Sequence, residues 1–281
     1  IMVDALETKV IKTIKEHKLL LKKDKILVAC SGGKDSTTIL YILHKLGYKV
    51  EGLMIDLRMG DWSDKNLNNV KTFCSQEGIK FNVIDIREEV GASICYFRSG
   101  IQAKAKIGNC TICGVCRRWI LNKRARELGA DKLVTGHNLD DEAENIMMNV
   151  LKGNPELFVN MGPTTGIIQD SMFVPRVKPL YFCTNSDIRK YTEKKRWDIE
   201  YSPCPCSVGA FRREVRGMIE GLESDKKGTK KNMVDWLLRK LPEIRKKYAH
   251  KMNLRKCDVC GEPSRGSVCK RCKLMKIMAR K

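Results

Sequence analysis

Two groups of residues in this sequence have the types and spacing to do chemistry. One is the short loop Ser31-Gly-Gly-Lys-Asp-Ser36; the other is a set of cysteines that recur at close intervals. Adjacent glycines let a backbone pass close to a ligand and take positive φ. The apolar run Lys25–Cys30 before the loop reads as a buried parallel strand, and Thr37–Leu46 after it reads as a helix ended by Gly47. A helix start offers unpaired amides and the positive end of its dipole, which together bind anions. Lys34 adds a point charge, and Ser31 and Ser36 add hydroxyl donors. The spacing differs from the Gly-x4-Gly-Lys-Ser/Thr pattern of the Walker loop. Beside phosphates, Asp35 reads as a Mg²⁺ ligand or catalytic group; the alternative is a charge set against the helix dipole.

The chain has 13 cysteines and no secretory signal, a combination that points to metal or redox chemistry rather than a disulfide framework. Cys257-Asp-Val-Cys260 and Cys269-Lys-Arg-Cys272 have the spacing of a closed tetrahedral zinc site, with Gly261 and Gly266 for the knuckle turns. Cys110, Cys113 and Cys116 stand at i, i+3 and i+6 just before a helix over Arg117–Leu128. Three thiolates that close suit an iron–sulfur cluster better than structural zinc. A spectator role stays open for Cys116, which would lie a turn into the helix. Cys204 and Cys206 flank Pro205, and Cys30, Cys74, Cys95 and Cys183 read as small buried hydrophobes.

A net charge of +21, from 54 Lys and Arg against 33 Asp and Glu, favours a polyanionic partner. An aromatic share of 6% argues against a base-stacking platform as the main binding device. Much of the basic charge surrounds the last four cysteines (Arg255, Lys256, Arg265, Lys270, Arg271). There is no apolar run long enough to span a membrane. The first residues, Ile1-Met-Val-Asp4, lack the features of a signal peptide and an initiator methionine, so the expectation is a cytoplasmic protein whose true start is missing.

Positioning these residues requires alternating elements. Helix 4–19, strand Lys25–Cys30, helix Thr37–Leu46, strand Lys49–Asp56, a helical stretch near Asp64–Gln76 and strand Lys80–Ile86 come first. Helix Arg117–Leu128, strand Lys132–Thr135 and helix Leu139–Leu151 follow. The alternation implies an α/β fold with a parallel sheet, whose ligands sit at the carboxyl ends of the strands. Gly136-His-Asn-Leu-Asp-Asp-Glu142 therefore shares an edge with the loop. Its Asp140 and Asp141 cap a helix or serve the reaction, and His137 is a capping histidine or a nucleotide contact. Gly153–Pro179 reads as irregular, Asn185–Lys195 and Phe211–Glu223 as helical, and Asn232–Ala249 as a long basic amphipathic helix. The expected division is an N-terminal helix (1–20), a catalytic domain (21–225), a basic linker and helix (226–252) and a zinc ribbon (253–281).

In order along the chain, the loop, Cys110-x2-Cys113 with Arg117-Arg118, Thr135–Ala143, and Pro203-Cys-Pro-Cys-Ser207 with Ala210-Phe-Arg212 resemble the PP-loop tRNA 2-thiolation enzymes of the TtcA/TtuA family, including the branch that modifies the wobble uridine. The resemblance spans most of residues 1–272. It implies an ATP-pyrophosphatase (adenine nucleotide alpha hydrolase-like) fold, with ATP held by Ser31, Gly32, Gly33, Lys34, Asp35, Ser36 and Gly136. It implies a 4Fe–4S cluster on Cys110, Cys113 and Cys204 that leaves one iron open; the extra thiols Cys116 and Cys206 offer an alternative set. It also implies catalytic roles for Asp35, Arg117, Asp141 and Cys113. Relatives carry an N-terminal zinc module that these residues lack.

The function so implied is a tRNA 2-thiouridine synthetase. ATP·Mg²⁺ adenylates a uridine C2 oxygen, and sulfur then displaces AMP. The expected partners are tRNA, a sulfur donor (sulfide, a persulfide or a thiocarboxylated ubiquitin-like protein) and a second copy in a homodimer. Two rivals are a PP-loop ligase that delivers an amine, for which the thiols are superfluous, and a non-catalytic zinc-ribbon RNA-binding protein that only senses nucleotide.

Overall fold

The computed structural model describes residues 4–165, 172–248 and 254–279. Lys25–Cys30 (β1), Lys49–Asp56 (β2), Phe81–Asp85 (β3), Lys132–Thr135 (β4), Thr164–Thr165 (β5) and Arg176–Val177 (β6) form one sheet in the order β3-β2-β1-β4-β6-β5. All its pairings are parallel except that of β5 with β6. From β1 the chain turns to β2 on one side, while β4 arrives on the other. The carboxyl ends of β1 and β4 thus bound a topological switch point, the crevice where such sheets bind ligands.

Side chains alternate across each strand, so both faces of the sheet are apolar. Ile26, Val28 and Cys30 face one layer and Leu27 the other. The first layer is built by Ala5–Glu16 (α1), Lys34–Lys45 (α2), Asp61–Gln76 (α3) and Asn185–Lys195 (α8), through residues such as Val10, Leu40, Val70 and Ile188. The second is built by Ile86–Val90 (α4), Ile94–Gln102 (α5) and Asn109–Glu127 (α6), through Val90, Phe97, Ile112 and Ile120. Leu139–Leu151 (α7), Phe211–Asp225 (α9) and Thr229–Tyr248 (α10) pack beside the sheet through Ile146, Val215 and Leu237.

Several elements differ from the sequence expectation. α2 begins at Lys34 rather than Thr37, so half of the loop motif is the first helical turn. α6 begins at Asn109, which puts Cys110, Cys113 and Cys116 inside the helix and not ahead of it. Residues 153–179, expected to be irregular, contribute the short 3-10 helix Pro155–Asn160 and the short strands β6 and β5, the latter at the sheet's edge. Cys30, Cys74 and Cys183 are buried as expected, whereas Cys95 is half-buried.

The C-terminal segment comprises Arg255–Lys256 (β7), Pro263–Ser264 (β8) and Lys270–Met278 (α11). It packs against the main body. Leu274 joins the apolar layer of α4–α6, and the Arg271 guanidinium sits 4.5 Å from the Trp119 ring centroid, donating also to the Glu89 carbonyl. Arg126 pairs with Glu262. The site residues on α6 are thus braced from behind by the segment that holds the last four cysteines.

Candidate active site and metal centres

Gly32 has φ +83°, and a Cβ there would lie 2.3 Å from Asn66 Oδ1, so neither the conformation nor the space admits a side chain. The loop is closed on itself by Ser36. Its Oγ accepts from the Ser31 amide at 3.2 Å and donates to the Gly33 carbonyl at 3.1 Å. No side chain caps the start of α2, which leaves its first amides free for an anion. From β4, Gly136 approaches so closely that a Cβ would stand 2.8 Å from the Ser36 nitrogen.

Lys34 is turned into a network with other side chains. Its Nζ lies 2.6 Å from Asp35 Oδ1 and 2.7 Å from Asn185 Oδ1, and Asn138 donates to both of those oxygens. Burial pushes the Asp35 carboxyl above its ordinary range, Lys34 opposes this, and the nearby Asp141 adds to the rise. Asp141 closes a capping box with Asn138 at the start of α7 and lies 3.6 Å from an Arg212 nitrogen. Both roles weighed from sequence are therefore open to Asp141: it caps the helix and it faces the phosphate loop. Asp140 is occupied with structure, accepting from Lys230 at 2.6 Å and from the Asn185 amide at 2.7 Å.

A cavity of about 560 Å³ opens at the switch point. Ser31, Asp35, Ser36, Gly136, Asp141 and Arg117 line it. His137 faces it too, its Nδ1 2.9 Å from Thr135 Oγ1. Desolvation first, then the charges of Lys178 and Arg212, lower the pKa of this exposed imidazole and favour its neutral form. A small cleft of about 50 Å³ adjoins at the ends of β1 and β2, between Met54, Ile55 and Trp62. A larger cavity of about 870 Å³ lies behind Asn185. The deepest cation there, Lys230, is already paired with Asp140 and Glu220.

Lys178, also on the wall of the 560 Å³ cavity, lies 2.7 Å from Glu142, with side-chain exposures of 8% and 0%. Removing one partner of such a pair leaves a buried charge, so Lys178→Met is expected to cost about 3–5 kcal/mol of stability. Thermal or urea unfolding checks this, and Lys178→Met with Glu142→Leu should recover most of the loss.

Cys110, Cys113 and Cys204 are neighbours at the near end of α6, close enough to act on one another's charge but not gathered within 4.8 Å as the C-terminal four are. Burial pushes the Cys113 thiol up; the Arg117 charge works against the rise, while Cys204 and Cys110 add to it. Cys204 likewise responds to Cys206 and Cys110. Thiols that raise one another's pKa are relieved by a shared cationic centre, and an all-sulfur set fits an iron–sulfur cluster. Cys116 is different: it is 0% exposed among Ile112 and Ile120, and burial raises its thiol to about 12. Cys206 turns toward Cys95 and Arg98.

The four C-terminal sulfurs all lie within 4.8 Å of one another. The Cys260 and Cys269 sulfurs are 3.7 Å apart, and the Cys269 amide donates to Cys257. Small spacing and amide donors suit one tetrahedral ion. Chelating it is expected to free Arg271 from Trp119 and red-shift that residue's fluorescence; an unchanged spectrum with zinc stripped would count against the brace.

The PP-loop domain model matches residues 3–215. The tRNA-5-methyluridine(54) 2-sulfurtransferase of Pyrococcus horikoshii is 36% identical over 271 residues, 95% of this chain and 83% of its own. Cytoplasmic tRNA 2-thiolation protein 1 of Caenorhabditis elegans is 32% identical, over 96% of this chain and 72% of its own. The chain belongs to the PP-loop tRNA 2-thiolation family. Among solved structures, the U34-tRNA thiolase NcsA from Methanococcus maripaludis, determined with its [4Fe-4S] cluster, superposes with a TM-score of 0.80 at 27% identity, covering 96% of this chain and 86% of that one. This 2-thiolation family is one of enzymes, and the parallel α/β fold expected from the sequence is its fold.

Sequence reasoning missed Asn138 and Asn185, which hold Lys34 and Asp35, and the cleft at Met54, Ile55 and Trp62. The cleft was within reach, because the rule that placed Gly136 at a strand's carboxyl end applies equally to β2. No helix among the described residues is long and apolar enough to cross a membrane.

Proposed function

We propose that this protein is an ATP-dependent tRNA 2-thiouridine synthetase acting in the cytoplasm with a sulfur donor and, as a homodimer, a second copy of itself. One observation carries the reading. The phosphate loop and the Gly114–Arg118 stretch of α6 line one cavity, and Arg117, on its wall, stands close enough to Cys113 to act on its thiol.

In this reading the amides at the start of α2, with Ser31, Gly32, Gly33 and Ser36, receive the phosphates of ATP. The apolar cleft beside Ser31 takes the base. Gly136 leaves room for the α-phosphate beside the loop. Asp35 and Asp141 would hold the Mg²⁺ that accompanies ATP, which when bound supplies positive charge beside the two carboxylates. Lys34, at the start of α2 beside Asp35, adds a positive charge for the phosphates. The uridine C2 oxygen attacks the α-phosphorus, pyrophosphate leaves, and C2 becomes open to substitution. Cys110, Cys113 and Cys204 would hold the 4Fe–4S cluster, which when bound supplies an iron site to carry sulfur. Arg117 steadies negative charge on the incoming sulfur, and AMP departs as the C–S bond replaces C–O.

The thiol set favours sulfur over an amine nucleophile, which needs no cluster. Pyrophosphate release separates the enzyme from a nucleotide sensor. Release that depends on tRNA supports catalysis, whereas ATP binding with no release under any RNA would reject it.

A further inference from the structure

The cations around the 560 Å³ cavity are unevenly partnered. Lys178 has Glu142, and Arg212 has Asp141 and Glu144. Arg118 and Arg176 line the same cavity, yet among the described residues neither guanidinium has a carboxylate at ion-pair distance. Arg118 stands close enough to disfavour charge on Arg176: desolvation first and then Arg118 hold Arg176 below its ordinary range, while desolvation and Arg117 lower Arg118. Two neighbouring guanidinium groups on one cavity wall, one exposed and one half-buried, with no carboxylate at ion-pair distance make a place for an anion. Space is kept for this arrangement at Gly114, where a Cβ would come within 3.0 Å of an Arg118 nitrogen.

The place of the pair says which anion. Arg118 rises from the thiol-bearing helix and feels Cys113. Arg176 stands on β6, and the sheet order β1-β4-β6 puts it a full strand beyond Gly136, on the side away from the phosphate loop. ATP's phosphates are held at the end of β1. An anion between the two arginines therefore lies past the reacting base, where the base's own sugar and phosphate must follow. Resting on the reading of this cavity as the uridine-activation site, we propose that Arg118 and Arg176 together clamp one phosphodiester of the RNA strand at the nucleotide being modified. Phosphate contacts of this kind fix register and orientation without reading sequence.

The test compares wild type with Arg118→Gln and Arg176→Gln, using unmodified tRNA transcript over a salt series, alongside ATP saturation. Each variant is expected to bind tRNA roughly tenfold more weakly and to lower the slope of log affinity against log salt by about one. The Michaelis constant for ATP should be unchanged. Arg118→Lys should restore the slope but only part of the affinity, because an ammonium lacks the bidentate fork. Unchanged tRNA binding with a raised ATP constant would assign the pair to an ATP phosphate and overturn the proposal. A lower melting temperature with the salt slope intact would reduce the arginines to structure and overturn it as well. Because the readout is RNA binding, a wild-type protein that bound tRNA but made no thiouridine would refute the reaction and leave the clamp standing.

Discussion

Replacing Cys113 with alanine is expected to lower tRNA thiolation by more than about 10³-fold, the scale on which an interdependent catalytic unit fails when one member is lost. Cys113 sits inside α6 between Cys110 and Arg117, and its thiol responds to the charges of Arg117 and Cys204. Alanine is a strong helix former, so α6 should persist. ATP binding should persist too, because the phosphate loop is held by its own Ser31, Gly33 and Ser36 contacts. Iron and acid-labile sulfide should fall with activity. Cys116→Ala is the matched control: its side chain is packed among Ile112 and Ile120, so the expected cost is about 1 kcal/mol of stability with thiolation retained. Iron content, ATP binding and thiouridine yield on both variants check the pair of expectations, and loss of activity in Cys116→Ala with Cys113→Ala active would reverse the ligand assignment.

Gly136→Ala should be nearly as damaging, through geometry alone. The added methyl would stand 2.8 Å from the Ser36 nitrogen, 2.9 Å from the Asp35 carbonyl carbon and 3.1 Å from Asp35 Cβ. Backbone cannot yield as a flexible side chain does, so β4's turn and the start of α2 must separate. Moving a catalytic group by about 1 Å can cost on the order of 10²-fold, and kcat/KM for ATP is expected to fall by about that factor. Steady-state pyrophosphate release reads the loss, with circular dichroism and the melting temperature confirming that the fold survives. Wild-type kinetics from a folded Gly136→Ala protein would show that β4 and the loop do not share the nucleotide.

The parallel sheet was legible because β1, β2 and β4 are short apolar runs alternating with helices, whereas the cap of α7 is Asn138 rather than the Asp140 or Asp141 weighed from sequence. The loop was legible from residue type alone. The starts of α2 and α6 were not, for one physical reason: first turns favour polar and small residues, which look like loop. Counting Cys116 as apolar would have shown Ile112, Cys116 and Ile120 at i, i+4 and i+8, the buried stripe of α6. β6 is only Arg176 and Val177, and its pairing with Leu133 and Val134 is set by distant chain, so no local pattern marked Arg176 or Lys178 as cavity residues. Cys95 carried no signal either; its nearness to Cys206 arises only when α5 packs beside the Pro205–Ser207 turn.

The most direct test is to purify the protein without oxygen, confirm iron and sulfide, and incubate it with unmodified tRNA, ATP·Mg²⁺ and sulfide before digesting the RNA to nucleosides for mass spectrometry. The predicted result is 2-thiouridine formed one for one with AMP and pyrophosphate, and none when ATP is omitted or the cluster removed. Iron-free protein that thiolates at the full rate, or cluster-loaded protein that consumes ATP and leaves every uridine unchanged, would contradict the account.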